Sequence, residues 1–372
     1  MKRDENLDAV KGLLIILMVA AHAGLCNPYR DFIYLFHMPV FFMMSGYFIK
    51  SERLRDVSGL FRFIKSRMLR LYVPFVFWGG LFLLLHNHFL RWNLYTSSEV
   101  CDLSLLGSGF CREWSCGEIF KNILRLLVMR GGADGMAGAF WFLRALFFGS
   151  VLYAVVEYVL YIVKGRILVW QTVCSMCCLL SVRYCYPDAI ADTLKWLGGK
   201  QMMVGYALIH CGRILHVLSS RFPQATNRVG GIFLGIVAGV NLVGLSFVEH
   251  IELDRAEFSF VSGLIVSAFA GWFLCYAIAR FIFMGGGGGA VQNIGKHTIS
   301  ILIFHFLSFK IVSWLGVVIL HDDMSLIGVF PTCYRGGWWC LFYTLFGIGM
   351  PLMFNALYDI ILMRFHGKLQ KQ

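Results

Sequence analysis

Apolar runs long enough to cross a bilayer, separated by short polar stretches, repeat along the whole chain. A helix needs ~20 apolar residues to cross the ~30 Å hydrocarbon layer. By that measure the pattern predicts ten spans, near residues 9–26, 32–50, 70–90, 138–163, 167–183, 201–218, 229–248, 258–281, 297–320 and 338–363. The expected fold class is therefore all-α: a polytopic integral membrane protein in which residues 1–372 form a single transmembrane domain.

Two connections break the rhythm. Residues 91–137 form a long loop, and within it the stretch from Glu118 to Arg130 combines apolar Ile119, Phe120, Ile123, Leu124 and Leu127 with basic Lys121 and Arg125. That pattern predicts a helix able to lie flat at the membrane surface, either as an ordinary loop helix or as a lid over an acceptor site. Gly285 to Gly289 are five consecutive glycines with no P-loop lysine and no strand-to-helix context, so they read as a flexible linker.

Charge orients the spans, because cytoplasmic loops carry an excess of Lys and Arg. Arg53, Arg62 and Lys65, then Lys164 and Arg166, Arg213 and Arg221, Arg280 and Lys296, and finally Arg364 and Lys368 fall on alternate loops. Asp31, the acids Glu249, Glu252, Asp254 and Glu257, and the pair Asp322 and Asp323 fall on the others. Both termini are expected in the cytoplasm, the 285–289 loop with them, and the 91–137 loop outside. At the N-terminus Lys2 and Arg3 precede an apolar run, as in a cleavable leader, but Asp4, Glu5 and Asp8 occupy the stretch that would have to be basic, so the run is read as a span.

Composition narrows the class. The chain is 58% hydrophobic with mean hydropathy +0.70, well above the ~45–50% apolar content of soluble domains, so a lipid bilayer is an expected partner. The net charge of +12 is dispersed over the span ends and forms no tract interleaved with aromatics, so no nucleic acid is expected. Twelve cysteines show no zinc spacing, and Cys174, Cys177 and Cys178 lie in an apolar run where cysteine serves as a small hydrophobe, so no metal is expected. Cys101, Cys111 and Cys116 share one polar loop and can pair if that loop faces an oxidising compartment. Oligomeric state is not legible.

Ionisable residues inside the spans are the candidates for chemistry, since charge in hydrocarbon is expensive. Lys11 and His22 are ~16 Å apart on one face of a helix. Lys11 either snorkels to the interface beside Asp8 or holds an anion; His22 lies too deep to reach water. His37 begins the second span at a similar depth, so the two imidazoles can meet, with Pro39 expected to kink that span and Ser45-Gly46 to allow close backbone approach. Arg67 and Arg70 share a face at the cytoplasmic mouth of the third span, where they either anchor topology or clamp phosphate. Arg144 and Lys310 also fall inside spans; Arg144 could touch an acceptor or form a structural pair.

The segments LDAVKGLLIILMVAAH, FHMPVFFMMSGYF, SRMLRLYVPF, AFWFLRALFF and IGKHTISILIFHF resemble, in order and spacing, the signature segments of the membrane-bound acyltransferase-3 family. The likeness is strongest to its branch of fucose O-acetylase-like and surface-polysaccharide O-acetyltransferases. It implies a ten-helix enzyme that takes an acyl group, acetyl by default, from cytoplasmic acyl-CoA and places it on a hydroxyl of a glycan or glycolipid acceptor, in a bacterial inner (plasma) membrane. In that scheme His22 is general base or acyl carrier, assisted by His37, and Lys11, Arg67 and Arg70 bind the CoA phosphates. Where the family has arginine, Lys11 keeps the charge without the planar fork. Trp141, Arg144 and His305 are candidate substrate-binding residues. The competing readings are a transporter or flippase of a lipid-linked sugar, which fits buried ionisable groups but lacks a visible internal repeat, and a non-catalytic partner in glycan export.

The orientation has a direct check. A cysteine placed beside Arg62 should resist membrane-impermeant thiol reagents in intact cells and react after permeabilisation; labelling from outside would overturn the topology.

Overall fold

A computed structural model describes residues 5–96, 104–105, 108–130, 134–185, 198–221, 228–284 and 288–369, without the side chains of 228–229, 283–284 and 361–369. The molecule is built from helices: α1 Glu5–His22, α2 Tyr29–Tyr34, α3 His37–Tyr47, α4 Val57–Arg67, α5 Val73–Arg91, α6 Cys116–Leu127, α7 Trp141–Ile162 and α8 Ile167–Leu180. The series continues with α9 Gly199–Arg221, α10 Arg228–Leu245, α11 Val261–Met284, α12 Gly288–Lys296, α13 Thr298–Leu320 and α14 Gly337–Leu369. A two-stranded antiparallel hairpin, β1 Ile251–Glu252 and β2 Glu257–Phe258, lies between α10 and α11.

Each expected span coincides with a helix. Among the described residues seven helical stretches are long and apolar enough to cross a membrane on their own, among them Val57–Arg91, which fuses α4 and α5 through a π-turn at Met68–Tyr72. The remaining three spans fall short for separate reasons. Helix α1 carries Glu5, Asp8 and Lys11 within 18 residues. The second span is broken into α2 and α3, and in α10 the apolar stretch among the fully described residues is Gly230–Leu245. The break in the second span corrects the expected proline kink. Phe36 has non-helical backbone angles and the helix restarts at His37, so Pro39 sits in the first turn, where a missing N–H costs no hydrogen bond.

Helix α1 is the hub, packing on α2, α3, α11, α12, α13 and α14. The contact with α12 rests on reciprocal glycines. A Cβ on Gly12 would overlap the carbonyl of Val291 on α12, and one on Gly295 would overlap the carbonyl of Asp8. Likewise Gly46 of α3 meets the Ile209 carbonyl of α9, and Gly212 of α9 meets the Met43 carbonyl. Small residues that let backbones touch are what hold helices together where lipid removes the hydrophobic driving force. The expected flexible glycine linker is corrected in part: Gly288 and Gly289 open α12, with Gly288 buried, while Gly285 to Gly287 lie outside the described residues.

The long loop is clamped to α5. Helix α6 forms where the amphipathic pattern predicts it, begun by a capping box in which Ser115 Oγ accepts from Glu118 N at 3.3 Å and the Glu118 carboxylate accepts from Ser115 N at 2.9 Å. Arg112 and the backbone N–H and hydroxyl of Ser115 hold the Glu118 carboxyl down at about 2. Asn87 exchanges two 2.8 Å hydrogen bonds with the Trp114 backbone, and His86, stacked on Trp114 at 3.8 Å, donates from Nε2 to Arg112 O at 3.0 Å. Its Nδ1 lies 2.8 Å from Asp134 Oδ2, so a hydrogen bond joins the buried pair. Cys111 is disulfide-bonded and Cys116 is a free thiol; Cys101 lies outside the described residues.

Lys310, fully buried in α13, has a structural role. Its ammonium donates to three successive carbonyls, Ile327 O at 3.0 Å, Gly328 O at 3.1 Å and Val329 O at 2.9 Å. All three donors are used, and a turn that enters the protein interior has its acceptors satisfied.

Lys310→Met should orphan those carbonyls at ~1–3 kcal/mol each, visible as a large loss of thermal stability of the detergent-solubilised protein. Gly212→Leu should wedge α3 from α9 and destabilise by ~1–3 kcal/mol, while Gly244→Leu, at a position open on the surface of α10, should not. A stable Gly212→Leu protein would contradict the packing.

Candidate active site

His22 is the last residue of α1. The chain turns away at Gly24, whose φ of +82° is open to glycine without strain, and this leaves the His22 ring half-buried at the rim of the bundle. The ring borders a cavity of about 290 Å³. Tyr34 and His37 from the broken second span form one wall, Trp141 and Gly138 at the head of α7 another, and Leu302 and Phe306 of α13 the floor.

The remaining segments that line this cavity are those that the charge pattern assigns to one side of the membrane: the turn with Arg30, Leu105, the hairpin with Ile251 to Arg255, and Phe330-Pro331. Lys310 fixes the last of these, and Phe330 packs on Phe306 at 4.6 Å. Leu105 N donates to Phe330 O at 3.0 Å, tying the long loop to the same wall. The hairpin is held by Glu249, whose carboxylate accepts from Ser259 N at 2.6 Å and Phe260 N at 3.1 Å and so caps α11. Burial pushes its carboxyl above the usual range. Arg144 reaches the hairpin indirectly: its Nη2 donates to Gln201 Oε1 at 2.7 Å, and the Gln201 amide donates to Asp254 O.

Charge within the cavity is mixed. Arg30 lies over the Tyr34 ring at 5.8 Å and pairs with Asp31 at 3.3 Å, and Arg255 stands 3.7 Å from Glu252. Asp254 is raised above the usual carboxylate range by desolvation and by the neighbouring Glu252.

The imidazoles are arranged differently from a simple His22–His37 encounter. Tyr34 stands between them, its ring 6.4 Å from His22 and 5.3 Å from His37. His37 Nδ1 donates to Ile33 O at 2.8 Å, a carbonyl near the end of α2. The nearest imidazole to His22 is His305, with centroids 5.6 Å apart. It sits behind His22 and is not part of the cavity lining.

The structure thus places His22, His37 and Trp141 on one cavity, and Arg144 and His305 next to it. Lys11, Arg67 and Arg70 do not line it. Lys11 pairs with Asp8 at 3.2 Å and lies over the Phe48 ring at 5.2 Å; Arg67 lies over the Phe63 ring at 4.9 Å, and Arg70 is exposed. Among the described residues no group of three or more His, Cys, Asp or Glu is placed to hold a metal ion. Tyr34, Phe306 and the hairpin escape a sequence reading. Tyr34 is one aromatic among many, and the acids 249–257 register only as an outside turn until β1 pairs with β2.

Residues 4–354 match the family described as an acyltransferase domain, of the acyltransferase-3 type. Nodulation protein NolL of Sinorhizobium fredii (strain NBRC 101917 / NGR234) is 37% identical over 90 residues, covering 21% of this chain and 24% of its own length. Nodulation protein NolL of Mesorhizobium japonicum (strain LMG 29417 / CECT 9101 / MAFF 303099) is 33% identical over 87 residues, covering 20% and 23%. The chain thus spans about a quarter of the length of these curated relatives, and no solved structure matches it. On the extent of the family match, joined to the helical, membrane-spanning architecture, the chain belongs to the acyltransferase-3 family.

Proposed function

We propose that the protein is a membrane O-acyltransferase that moves an acyl group, acetyl by preference, from cytoplasmic acyl-CoA to a hydroxyl of a glycan or glycolipid acceptor, in a bacterial inner membrane with both termini inside. The observation that carries this reading is a histidine bordering a polar–aromatic cavity in a chain of acyltransferase family. A sugar is suited to such a cavity. Carboxylates such as Asp254 and Glu252 accept from its hydroxyls, and Trp141 and Tyr34 offer flat faces to its C–H edges.

The chemistry asks for a base beside the acceptor. A neutral His22 takes the proton of the acceptor hydroxyl as that oxygen attacks the thioester carbonyl; the tetrahedral adduct collapses, the C–S bond breaks, and the CoA thiolate leaves with the proton returned by the imidazolium. His37, with Nδ1 committed to Ile33 O, keeps Nε2 as an acceptor and can orient a hydroxyl. In this reading Arg67 and Arg70, at the expected cytoplasmic end of the third span, pair with the CoA phosphates, with Lys11 as a further cation on α1.

The purified protein in nanodiscs, given radiolabelled acetyl-CoA, should release or transfer the label, and His22→Ala should lower the rate at least ~100-fold with its melting behaviour preserved. Substantial activity in His22→Ala would overturn the assignment of the base. A folded wild-type protein that does not engage acyl-CoA would overturn the reaction.

A further inference from the structure

The His305 ring is completely buried among aromatic neighbours, 4.0 Å from Phe306 and 5.7 Å from Phe309 between centroids. Its Nδ1 lies 3.0 Å from Leu302 O and 3.1 Å from Ile301 O. A carbonyl only accepts, so Nδ1 carries the proton and a neutral ring must present a bare lone pair at Nε2. That atom is buried and has no hydrogen-bond partner. A buried orphan acceptor costs ~1–3 kcal/mol, which a helix otherwise free to carry leucine here would not need to bear. The polar ring beside it is His22, at a centroid separation of 5.6 Å and a tilt of 31°. That is close to the separation at which two facing imidazoles share an N–H···N bond of ~2.9 Å, and His22, at the helix end, has room to turn.

We infer that His305 is a positioning residue for His22: its Nε2 receives the N–H on the inner side of the His22 ring, fixing the tautomer that turns the other nitrogen, as a lone pair, toward the cavity. A histidine then does for His22 what a carboxylate does in a nucleophile–base–orienter triad, with one difference that follows from burial. A neutral orienter holds the ring without adding a net charge to an apolar interior, where an unpaired carboxylate would be far more costly. His305 gains and loses no proton in the cycle. When His22 takes the acceptor proton its inner N–H stays shared with His305 Nε2, and the proton that later leaves with the thiolate is the one on the cavity side. The assignment rests on the acyl-transfer reading for its consequence in catalysis, while the tautomer itself does not.

Two variants separate positioning from packing. His305→Leu removes the acceptor and fills the space; His305→Gln returns an amide oxygen near the position of Nε2. In nanodisc-embedded protein His305→Leu should lower kcat by about tenfold to 100-fold with KM for acyl-CoA and acceptor unchanged, and His305→Gln should recover most of the loss. In ¹⁵N-histidine NMR spectra, His22 should be a single tautomer in the wild type and a mixture in His305→Leu. Equal losses in both variants, an unaffected kcat in His305→Leu, or a His22 tautomer indifferent to residue 305 would each overturn the inference. Should the wild type show no acyl transfer at all, the reaction fails by itself, and the NMR measurement still decides whether His305 orients His22.

Discussion

A polar atom without a partner is expensive in an apolar interior, and the ordering of this molecule around its cavity follows from that cost. Lys310 shows it most directly. An ammonium with no water within reach must find three acceptors, and the turn through Ile327, Gly328 and Val329 brings three carbonyls that need donors. Satisfying both sets at once pins the turn, and the pinned turn delivers Phe330 to the cavity wall. His37 follows the same rule, since its buried ring donates from Nδ1 to Ile33 O, a carbonyl beside the break that also accepts from Phe36 N.

Close backbone packing supplies the second constraint. In a bilayer the apolar side chains gain little by leaving lipid for protein, so the helices that define the site are joined where glycines let main chains touch. Gly12 and Gly295 lock α1 to the short helix α12, and Gly46 and Gly212 lock α3 to α9. These contacts fix α1 and the second half of the broken span, the two elements that end or begin in a histidine. The rim of the cavity is built otherwise, from turns and a hairpin held by individual side-chain bonds: Glu249 across the start of α11, and Arg144 through Gln201 to Asp254.

The positions of the spans were legible because their cause is local. Twenty apolar residues form a helix in lipid whatever surrounds them, and each of the ten stretches is helical. Details set by contacts between elements were not legible. Pro39 reads as a kink in a continuous helix, yet the break falls before His37, so the proline occupies a first turn. Five glycines read as linker, yet Gly288 and Gly289 belong to a helix whose Gly295 is needed against Asp8. In each case the residue type is compatible with two structures, and a partner distant in sequence selects one.

The sequence by itself determined an all-helical membrane chain, an expected side for each loop, and a short list of ionisable residues that hydrocarbon would not tolerate without reason. Hydropathy, charge asymmetry and helix length are properties of single segments, so one segment at a time suffices to read them. Tertiary structure alone decided which of those residues share a cavity: that Tyr34 stands between His22 and His37, that the buried His305 ring lies against His22, that an acidic loop is a hairpin over the site, and that Lys310 holds the wall. These are facts about rings whose centroids lie 5.3 to 6.4 Å apart, set by packing and by the pairing of buried polar groups. No periodicity along the chain carries that information.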